Sequence, residues 1–284
     1  MKKLTGKARV AGVMGWPVGH SRSPRLHGHW LAEYGIDGAY VPLAVPPERI
    51  EEALRALPAL GLVGCNVTVP HKEAAFRTVD RVDATAQRMG AVNTVIVHAD
   101  GSLEGRNTDG FGFIENLKAG APGWVAASGP AVVVGAGGAA RSLVVALADA
   151  GVPEVRLVNR THTRARELVA DLAEGLPCPL VAVAWEDRHD ALADAGLLAN
   201  ATTQGMTGHS PLDLHLDRLA PAAVVTDIVY APVQTPLLVD GAARGLVTVD
   251  GRGMLLHQGR PGFEAWFGRA PQVTEALYRA VFED

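Results

Sequence analysis

Cysteine is scarce in this chain. Two cysteines, Cys65 and Cys178, occur among 284 residues, which is too few for a disulfide framework in a chain of this length. We therefore expect both to be free thiols in a reducing compartment.

The chain also lacks a large excess of one charge and long apolar runs. The formal net charge is −4 and no run of lysine or arginine occurs, so a nucleic-acid partner is not expected. Nothing approaches the roughly 18 apolar residues of a membrane-spanning helix. In residues 1–16, Thr5, Gly6, Lys7 and Arg9 interrupt the apolar stretch that a signal peptide needs. We expect a cytoplasmic protein with no membrane partner.

Aromatic residues and metal-binding patterns are also rare. Aromatics make up 5% of the chain, so we expect a core of small residues in many short elements. The ten histidines show no spacing typical of a metal site, since His27 and His29 are only two residues apart. No metal site is predicted.

Short apolar runs alternate with helical patterns along the whole chain, which is typical of an α/β fold. Helices are predicted at 23–34, 46–57, 107–117, 254–267 and 271–282. Strands are predicted at 9–16, 39–45, 64–69, 155–160, 197–203, 223–230 and 247–251, with a hairpin over 92–107 around Asp100-Gly101. The run from 130 to 151 reads as strand, glycine turn and helix.

A glycine- and proline-rich stretch over 120–130 and a change of pattern before it predict two domains. We place a substrate-binding, catalytic domain at 1–108, completed by 252–284. A Rossmann-like nucleotide-binding domain, with a doubly wound sheet, is placed at 109–251.

The stretch NVTVPHK, residues 66–72, combines a strand pattern with polar side chains. Alternation puts Asn66 and Thr68 on one face and Val67 and Val69 on the other, which we expect to face the core. Pro70 is predicted to end the strand.

Lys72 follows that strand directly. It is either a solvated charge at a helix start or a proton carrier held over a substrate. Asp109 completes an acid–base pair with it, because an amine near a carboxylate stays charged and oriented. Each residue alone is more often a solvated charge. His71 is interpreted as a structural or surface histidine.

Other polar residues lie at predicted strand ends and loop ends. Ser21 and Ser23 precede a helix, where they either bind a carboxylate or simply cap the helix. Asn93 begins a strand, and Tyr230 either lines the crevice or packs at a strand end. Such side chains around one crevice suit a polyhydroxylated small molecule.

The glycine turn AVVVGAGGAA matches a strand, G-x-G-x-x-A and a helix, with Gly135, Gly137 and Ala140 at the key positions. Glycines let the backbone approach a pyrophosphate, and the helix start supplies free N–H groups. The alternative is a tight turn that binds nothing.

The next predicted strand ends in Asn159-Arg160-Thr161 rather than in an acid. An acid there holds the ribose of NAD, whereas arginine binds a 2′-phosphate. Arg164 lies four residues further on and adds to that pocket. NADP is therefore favoured over NAD, the alternative being surface arginines at a helix start.

Nine stretches of the sequence, taken together, resemble the shikimate dehydrogenase family. They run in the family's order, and the resemblance covers the chain from about residue 12 to 270: GHSRSP, NVTVPHKE, GAVNT, NTDGFG, GAGGAARS, NRTHTRA, NATTQGM, DIVYAPVQTPLL and GMLLHQG. The resemblance implies a two-domain fold whose C-terminal helices return to the substrate domain. It implies reversible reduction of 3-dehydroshikimate to shikimate with NADPH, on the route to chorismate and the aromatic amino acids.

The resemblance also implies roles for individual residues. Ser21 and Ser23 hold the substrate carboxylate, and Lys72 is the acid–base residue paired with Asp109. The ring hydroxyls are held, with support from Asn66, by Thr68, Asn93, Asp109 and Gln258. The pyrophosphate is wrapped by Gly135, Ala136, Gly137, Gly138 and Ala139. The adenosine phosphate is bound by Asn159, Arg160 and Thr161, and Met254 packs near the nicotinamide.

Two positions are less typical of the family: Arg106, which precedes Asn107, and Gly259, where alanine is frequent. Three alternatives stay open. One is a quinate/shikimate dehydrogenase with relaxed use of NAD and NADP, and another is an enzyme for an aminated shikimate analogue. The third is a non-catalytic NADP-binding regulatory paralogue. Monomer and homodimer are both compatible with the sequence.

Overall fold

The computed structural model describes residues 4–283, so the ends of the predicted substrate domain, residues 1–3 and 284, lie outside the described residues. Two compact units are present. The first unit comprises the chain up to Thr108 together with the segment from Gln258 onward, and the second unit comprises Asp109–His257. The second boundary falls inside a helix, where the sequence predicts it at 251/252.

The first unit has an α/β architecture built on a six-stranded mixed sheet. Its strands are β1 Arg9–Gly15, β2 Gly38–Ala44, β3 Leu62–Val67, β4 Arg81–Val82, β5 Thr94–Val97 and β6 Leu103–Arg106. The sheet order is β2-β1-β3-β5-β6-β4. The pairs β1–β2 and β1–β3 are parallel, while β3–β5 and β5–β6 are antiparallel.

Four helices of the first unit precede its boundary at Thr108. They are α1 Ser23–Glu33, α2 Ile50–Ala56, α3 Lys72–Thr78 and α4 Ala84–Met89. Short β4 and α4 were not predicted. The predicted hairpin is confirmed, since β5 and β6 pair around Gly101, which has a φ of 82°.

The second unit has a six-stranded sheet that is parallel throughout. Its strands are β7 Ala131–Val134, β8 Val155–Val158, β9 Leu180–Val183, β10 Leu197–Asn200, β11 Val224–Asp227 and β12 Val247–Val249. The order β12-β11-β10-β7-β8-β9 is that of a doubly wound dinucleotide-binding sheet. Its helices are α5 Asp109–Gly120, α6 Gly138–Asp149, α7 His162–Leu172 and α8 Pro236–Ala243.

The C-terminal helices are α9 Arg252–Phe267 and α10 Glu275–Phe282. Residues from Gln258 onward belong to the first unit, which confirms the expected return of the chain. The indole of Trp266 donates to the carbonyl of Val95 at 3.0 Å, and the indole of Trp30 donates to the carbonyl of Gln272 at 2.9 Å. Both indoles are buried, so the return is fixed by packing as well as by hydrogen bonds.

The two cores differ in composition. The second unit buries mostly valine, leucine and alanine, as expected from the composition. The first unit instead concentrates aromatic rings between α1, β2 and α9, namely Trp30, Tyr40, Phe263, Trp266 and Phe267. A low aromatic content therefore hides one local aromatic cluster.

Candidate active site

The segment from β3 to α3 carries the first group of predicted site residues. Strand β3 ends at Val67, and Val69 and Pro70 lie in a turn before α3 begins at Lys72. The prediction that both valines face the core is wrong for Val69, which is 70% exposed, while Val67 is buried. The alternation fails because the strand stops two residues earlier than predicted.

Asn66 is a structural connector in this part of the sheet. Its Oδ1 accepts a hydrogen bond of 2.6 Å from the phenol of Tyr40. Its Nδ2 donates to the carbonyl of Asn93 and to the hydroxyl of Thr94, both at 3.1 Å. The side chain therefore ties β2, β3 and β5 together at one edge of the first unit.

Asn93 and Thr108 extend the same network. The side chain of Asn93 is buried, and its Oδ1 accepts from the N–H of Thr108 at 2.9 Å. The hydroxyl of Thr108 accepts from Nδ2 of Asn93 at 3.1 Å and donates to the carbonyl of Gln258 at 2.9 Å. These bonds fix the backbone at the start of β5 and in α9, so the predicted substrate residues Asn66, Asn93 and Gln258 share one hydrogen-bonded edge.

Neither serine occupies the N-cap position of α1. The residue at the N-cap position is Arg22, which makes no side-chain cap. Ser21 Oγ accepts from the N–H of Ser23 at 3.3 Å. Burial raises the pKa of the Tyr40 phenol well above its ordinary value, so the phenol stays neutral and remains a donor to Asn66.

Lys72 is the first residue of α3 and is half-buried. Its carbonyl accepts from the N–H of Val92 at 2.9 Å, which holds the helix start beside the segment that leads through Asn93 into β5. His71 is buried, with Nε2 2.8 Å from the carbonyl of Val45. The structural interpretation of His71 is therefore confirmed.

Asp109 belongs to the second unit and is the buried first residue of α5. Its pairing with Lys72 stays a prediction. Arg106, flagged as atypical, forms an ion pair with Glu104 at 2.5 Å.

Three residues of the first unit belong to this hydrogen-bonded network and were not predicted as site residues from the sequence: Tyr40, Thr94 and Thr108. His27 is fully buried and stacks on the Tyr40 ring with centroids 4.0 Å apart. Burial lowers the pKa of His27 to about 3, so the imidazole is neutral. Tyr40 carried one signal, a tyrosine in a predicted strand whose hydroxyl requires a partner when buried.

The glycine turn of the second unit lies between β7 and α6 as predicted. Gly135 has a φ of 117°, and an added Cβ would lie 3.0 Å from Cγ2 of Thr202. Gly137 is the N-cap of α6 and makes no side-chain cap. An added Cβ at Gly137 or Gly138 would meet no atom within 4 Å. Free N–H groups beside open space fit a pyrophosphate, and Ala136 and Ala139 flank that space, half-buried.

The segment after β8 suits a phosphate of the adenosine half. Asn159 Nδ2 donates to the carbonyl of Thr161 at 2.8 Å, which shapes the turn into α7. Arg160 and Arg164 are exposed, and within residues 4–283 no carboxylate forms an ion pair with either guanidinium. Two uncommitted guanidinium groups at this position fit the predicted 2′-phosphate.

The carboxyl ends of β10 and β11 hold a buried carboxylate. Asp227 accepts from the Asn200 side chain at 3.1 Å, from the N–H of Val229 at 3.0 Å and from the hydroxyl of Thr235 at 2.7 Å. Burial raises the pKa of Asp227, against the effect of these hydrogen bonds. In the sequence this aspartate is recognisable only as part of a motif. Tyr230 and Met254, two predicted site residues, are partly exposed in the second unit.

Within residues 4–283, no group of three or more histidine, cysteine or acidic side chains is arranged to hold a metal ion. None of the helices in the same range combines the length and the apolar character needed to cross a membrane.

A doubly wound parallel sheet with a glycine turn, joined to a second α/β unit with a polar edge, defines a two-domain, dinucleotide-dependent oxidoreductase. The family model for the shikimate dehydrogenase substrate binding domain matches residues 13–95. The family model for shikimate / quinate 5-dehydrogenase matches residues 125–205.

Full-length comparisons agree with these matches. The shikimate dehydrogenase (NADP(+)) of Rhodospirillum rubrum is 62% identical over 278 residues, which cover 98% of each chain. The chain belongs to the shikimate dehydrogenase family.

Two solved structures are similar over nearly the whole chain. Shikimate 5-dehydrogenase from Thermus thermophilus, in complex with NADP(H) and shikimate, is 37% identical with a TM-score of 0.84, over 96% of this chain and 98% of that one. The ligand-free 5-ketofructose reductase of Gluconobacter sp. strain CHM43 is 30% identical with a TM-score of 0.90, over 98% of this chain and 99% of that one. The two solved structures are thus named for different substrates, shikimate and 5-ketofructose.

Proposed function

We propose that this chain catalyses the reversible, NADP-dependent reduction of 3-dehydroshikimate to shikimate, on the route to chorismate and the aromatic amino acids. The observation that carries the proposal is the continuous hydrogen-bonded edge from Tyr40 through Asn66, Asn93 and Thr108 to Gln258. A polar edge of this kind suits a ligand with a carboxylate and several ring hydroxyls. The 62% identical relative, named shikimate dehydrogenase (NADP(+)), supports that choice of ligand.

In this proposal the first unit binds the substrate. Ser21 and Ser23 hold the carboxylate at the start of α1, where backbone N–H groups also favour an anion. Thr68, Asn93, Asp109 and Gln258 hold ring hydroxyls. Asn66 holds this edge in place rather than bearing the main contact, since its amide already bonds Tyr40, Asn93 and Thr94.

Lys72 is the acid–base residue. Bound NADPH supplies a hydride to the carbonyl carbon of the substrate. The Lys72 ammonium donates a proton to the carbonyl oxygen during reduction, and the amine takes it back during oxidation. Asp109 orients the lysine through its carboxylate. Lys72 begins α3, and its carbonyl accepts from the N–H of Val92, so its backbone is held next to the residue that precedes Asn93.

The second unit binds NADP. Gly135, Ala136, Gly137, Gly138 and Ala139 receive the pyrophosphate at the start of α6. Arg160, with Asn159, Thr161 and Arg164, binds the 2′-phosphate, and Met254 and Tyr230 lie near the nicotinamide. The exposed and unpaired guanidinium of Arg160 supports NADP over NAD, because a 2′-phosphate gives it a charged partner that NAD lacks.

A second candidate is a quinate/shikimate dehydrogenase with relaxed use of NAD. The family model that matches the nucleotide-binding part is described as shikimate / quinate 5-dehydrogenase, which favours this candidate over other carbonyl reductases. We infer in either case a cytoplasmic enzyme, monomeric or homodimeric, with Cys65 and Cys178 as free thiols.

Product identification tests the proposal. The purified chain is incubated with 3-dehydroshikimate and NADPH, NADPH absorbance is followed, and the product is identified by NMR. We expect stoichiometric formation of shikimate. Consumption of neither reagent, with NADPH binding intact by calorimetry, would contradict the proposed reaction.

A further inference from the structure

Gly15, the last residue of β1, contacts the region of Thr68 in the first unit. A Cβ added to Gly15 would lie 2.6 Å from Cγ2 of Thr68, closer than non-bonded carbon atoms approach each other in folded proteins. The φ of Gly15 is not in the left-handed range, so the backbone does not require glycine there. Glycine is instead required by the limited space, because the Thr68 methyl group lies over the Cα of Gly15.

Thr68 cannot move away from this contact as a unit. Its N–H donates to the carbonyl of Met14 at 2.9 Å, and its carbonyl accepts from the N–H of His71 at 2.9 Å. The N–H of Trp16 donates to the carbonyl of Val69 at 3.1 Å. Backbone bonds on both sides of the Gly15–Thr68 contact hold the two segments together, so a larger residue at position 15 must displace the Thr68 side chain.

We propose that Gly15 is a positioning residue, which aims the Thr68 hydroxyl at the substrate by leaving room for the Thr68 methyl. A threonine χ1 has three staggered rotamers, and the one that places Cγ2 over Gly15 fixes the direction of Oγ1. This inference rests on the proposed function, because Thr68 binds a ring hydroxyl of the substrate only in that reaction.

A double-mutant cycle isolates the effect. Gly15→Ala adds the conflicting methyl, and Thr68→Ser removes the threonine methyl but keeps the hydroxyl. We expect Gly15→Ala to raise the KM for shikimate about tenfold, the typical effect of one misplaced hydrogen bond, with a much smaller change in kcat and no change in NADP binding. The double variant Gly15→Ala/Thr68→Ser is expected to match Thr68→Ser in KM, because the conflict is gone.

Gly120→Ala is the matched control. Gly120 lies in the second unit, and an added Cβ there would lie 2.9 Å from a methyl carbon of Val249. The thermal stability of Gly120→Ala is expected to fall about as much as that of Gly15→Ala, while the KM of Gly120→Ala for shikimate stays at the wild-type value.

An unchanged KM in Gly15→Ala, or a raised KM that Thr68→Ser does not rescue, would overturn the inference. Should Gly15→Ala fail to fold, the double variant against Thr68→Ser decides: equal KM values support the positioning role, and a higher KM in the double variant overturns it. A wild-type chain that does not oxidise shikimate would instead reject the proposed function, and this inference with it.

Discussion

Asn93 and Thr108 hydrogen-bond each other in both directions: the Thr108 N–H donates to Oδ1 of Asn93 at 2.9 Å, and Asn93 Nδ2 donates to the Thr108 hydroxyl at 3.1 Å. Thr108 also donates to the carbonyl of Gln258 at 2.9 Å. Asn93 and Thr108 together therefore connect the start of β5 with the segment after β6 and with α9. The edge that we assign to the substrate is therefore held from within the first unit.

Replacing Asn93 by alanine tests this edge. We expect the free energy of unfolding to fall by about 2 kcal/mol, since the buried N–H of Thr108 loses its acceptor, and the KM for shikimate to rise. Urea denaturation and initial rates measure the two effects. Asn116→Ala is the control, because Asn116 is a buried asparagine of the second unit that donates to the carbonyl of Asp250 at 2.7 Å. The control should lose stability without a change in KM for shikimate. A wild-type KM in Asn93→Ala would contradict the assignment.

Arg160 is expected to decide between the two nicotinamide cofactors. Arg160→Ala should raise the KM for NADP about tenfold to a hundredfold, the range of one lost charge-assisted hydrogen bond, and leave the KM for NAD unchanged. Arg166→Ala, an exposed position on α7, removes the same charge as a control. Equal losses for NADP and NAD in Arg160→Ala would show that the arginine does not recognise the 2′-phosphate.

Gly137 is predicted to be needed for the cofactor but not for the fold. Because an added Cβ would meet no protein atom within 4 Å, Gly137→Ala should change stability by only about 0.5 kcal/mol. The methyl occupies the space assigned to the pyrophosphate, so NADP should bind at least about tenfold more weakly in calorimetry. Gly123→Ala, which is equally unobstructed and exposed, should bind NADP as the wild type does. Normal NADP binding in Gly137→Ala would place the pyrophosphate elsewhere.

Asp227 should make the stability of the chain depend on pH. Burial raises the pKa of Asp227 in the folded state. Between the unfolded and the folded pKa, the carboxyl group is therefore protonated in the folded state and ionised in the unfolded state. Stability from this group is therefore present below the unfolded pKa of about 4 and is lost as pH rises through the folded pKa. Asparagine does not titrate, so only the wild type loses this stability as the pH increases over that window. The free energy of unfolding of Asp227→Asn minus that of the wild type should therefore increase with pH. A difference that stays constant with pH would show that Asp227 titrates alike in both states.

Much of the fold follows from local patterns in the sequence. The alternation of apolar runs and helical segments predicted the doubly wound sheet, and the Asp100-Gly101 turn predicted the β5–β6 hairpin. Strand β9, Leu180–Val183, was missed because its apolar run is short and lies beside Pro179 and Trp185 without a clear turn signal. Val69 was misplaced because an alternating pattern continues for two residues beyond the last strand residue, Val67.

The site was predictable only where chemistry is visible in the residue type. Lys72, Arg160 and the glycines stand out as charges or as permissive backbone. Tyr40 does not, because its role depends on a hydroxyl that meets Asn66 across two strands. Gly15 is similar, since only the fold brings it against Thr68, 53 positions later in the chain. Such roles are created by tertiary contacts and leave no local signal.

The central claim is that this chain oxidises shikimate with NADP through Lys72. The most direct measurement is kcat/KM for shikimate and for quinate, each with NADP and with NAD, for the wild type and Lys72→Ala. We expect a strong preference for shikimate with NADP, and a loss of kcat in Lys72→Ala of about a hundredfold or more with NADP binding retained. Equal turnover of quinate or equal use of NAD would move the chain to the second candidate. A Lys72→Ala variant with wild-type kcat would contradict the account.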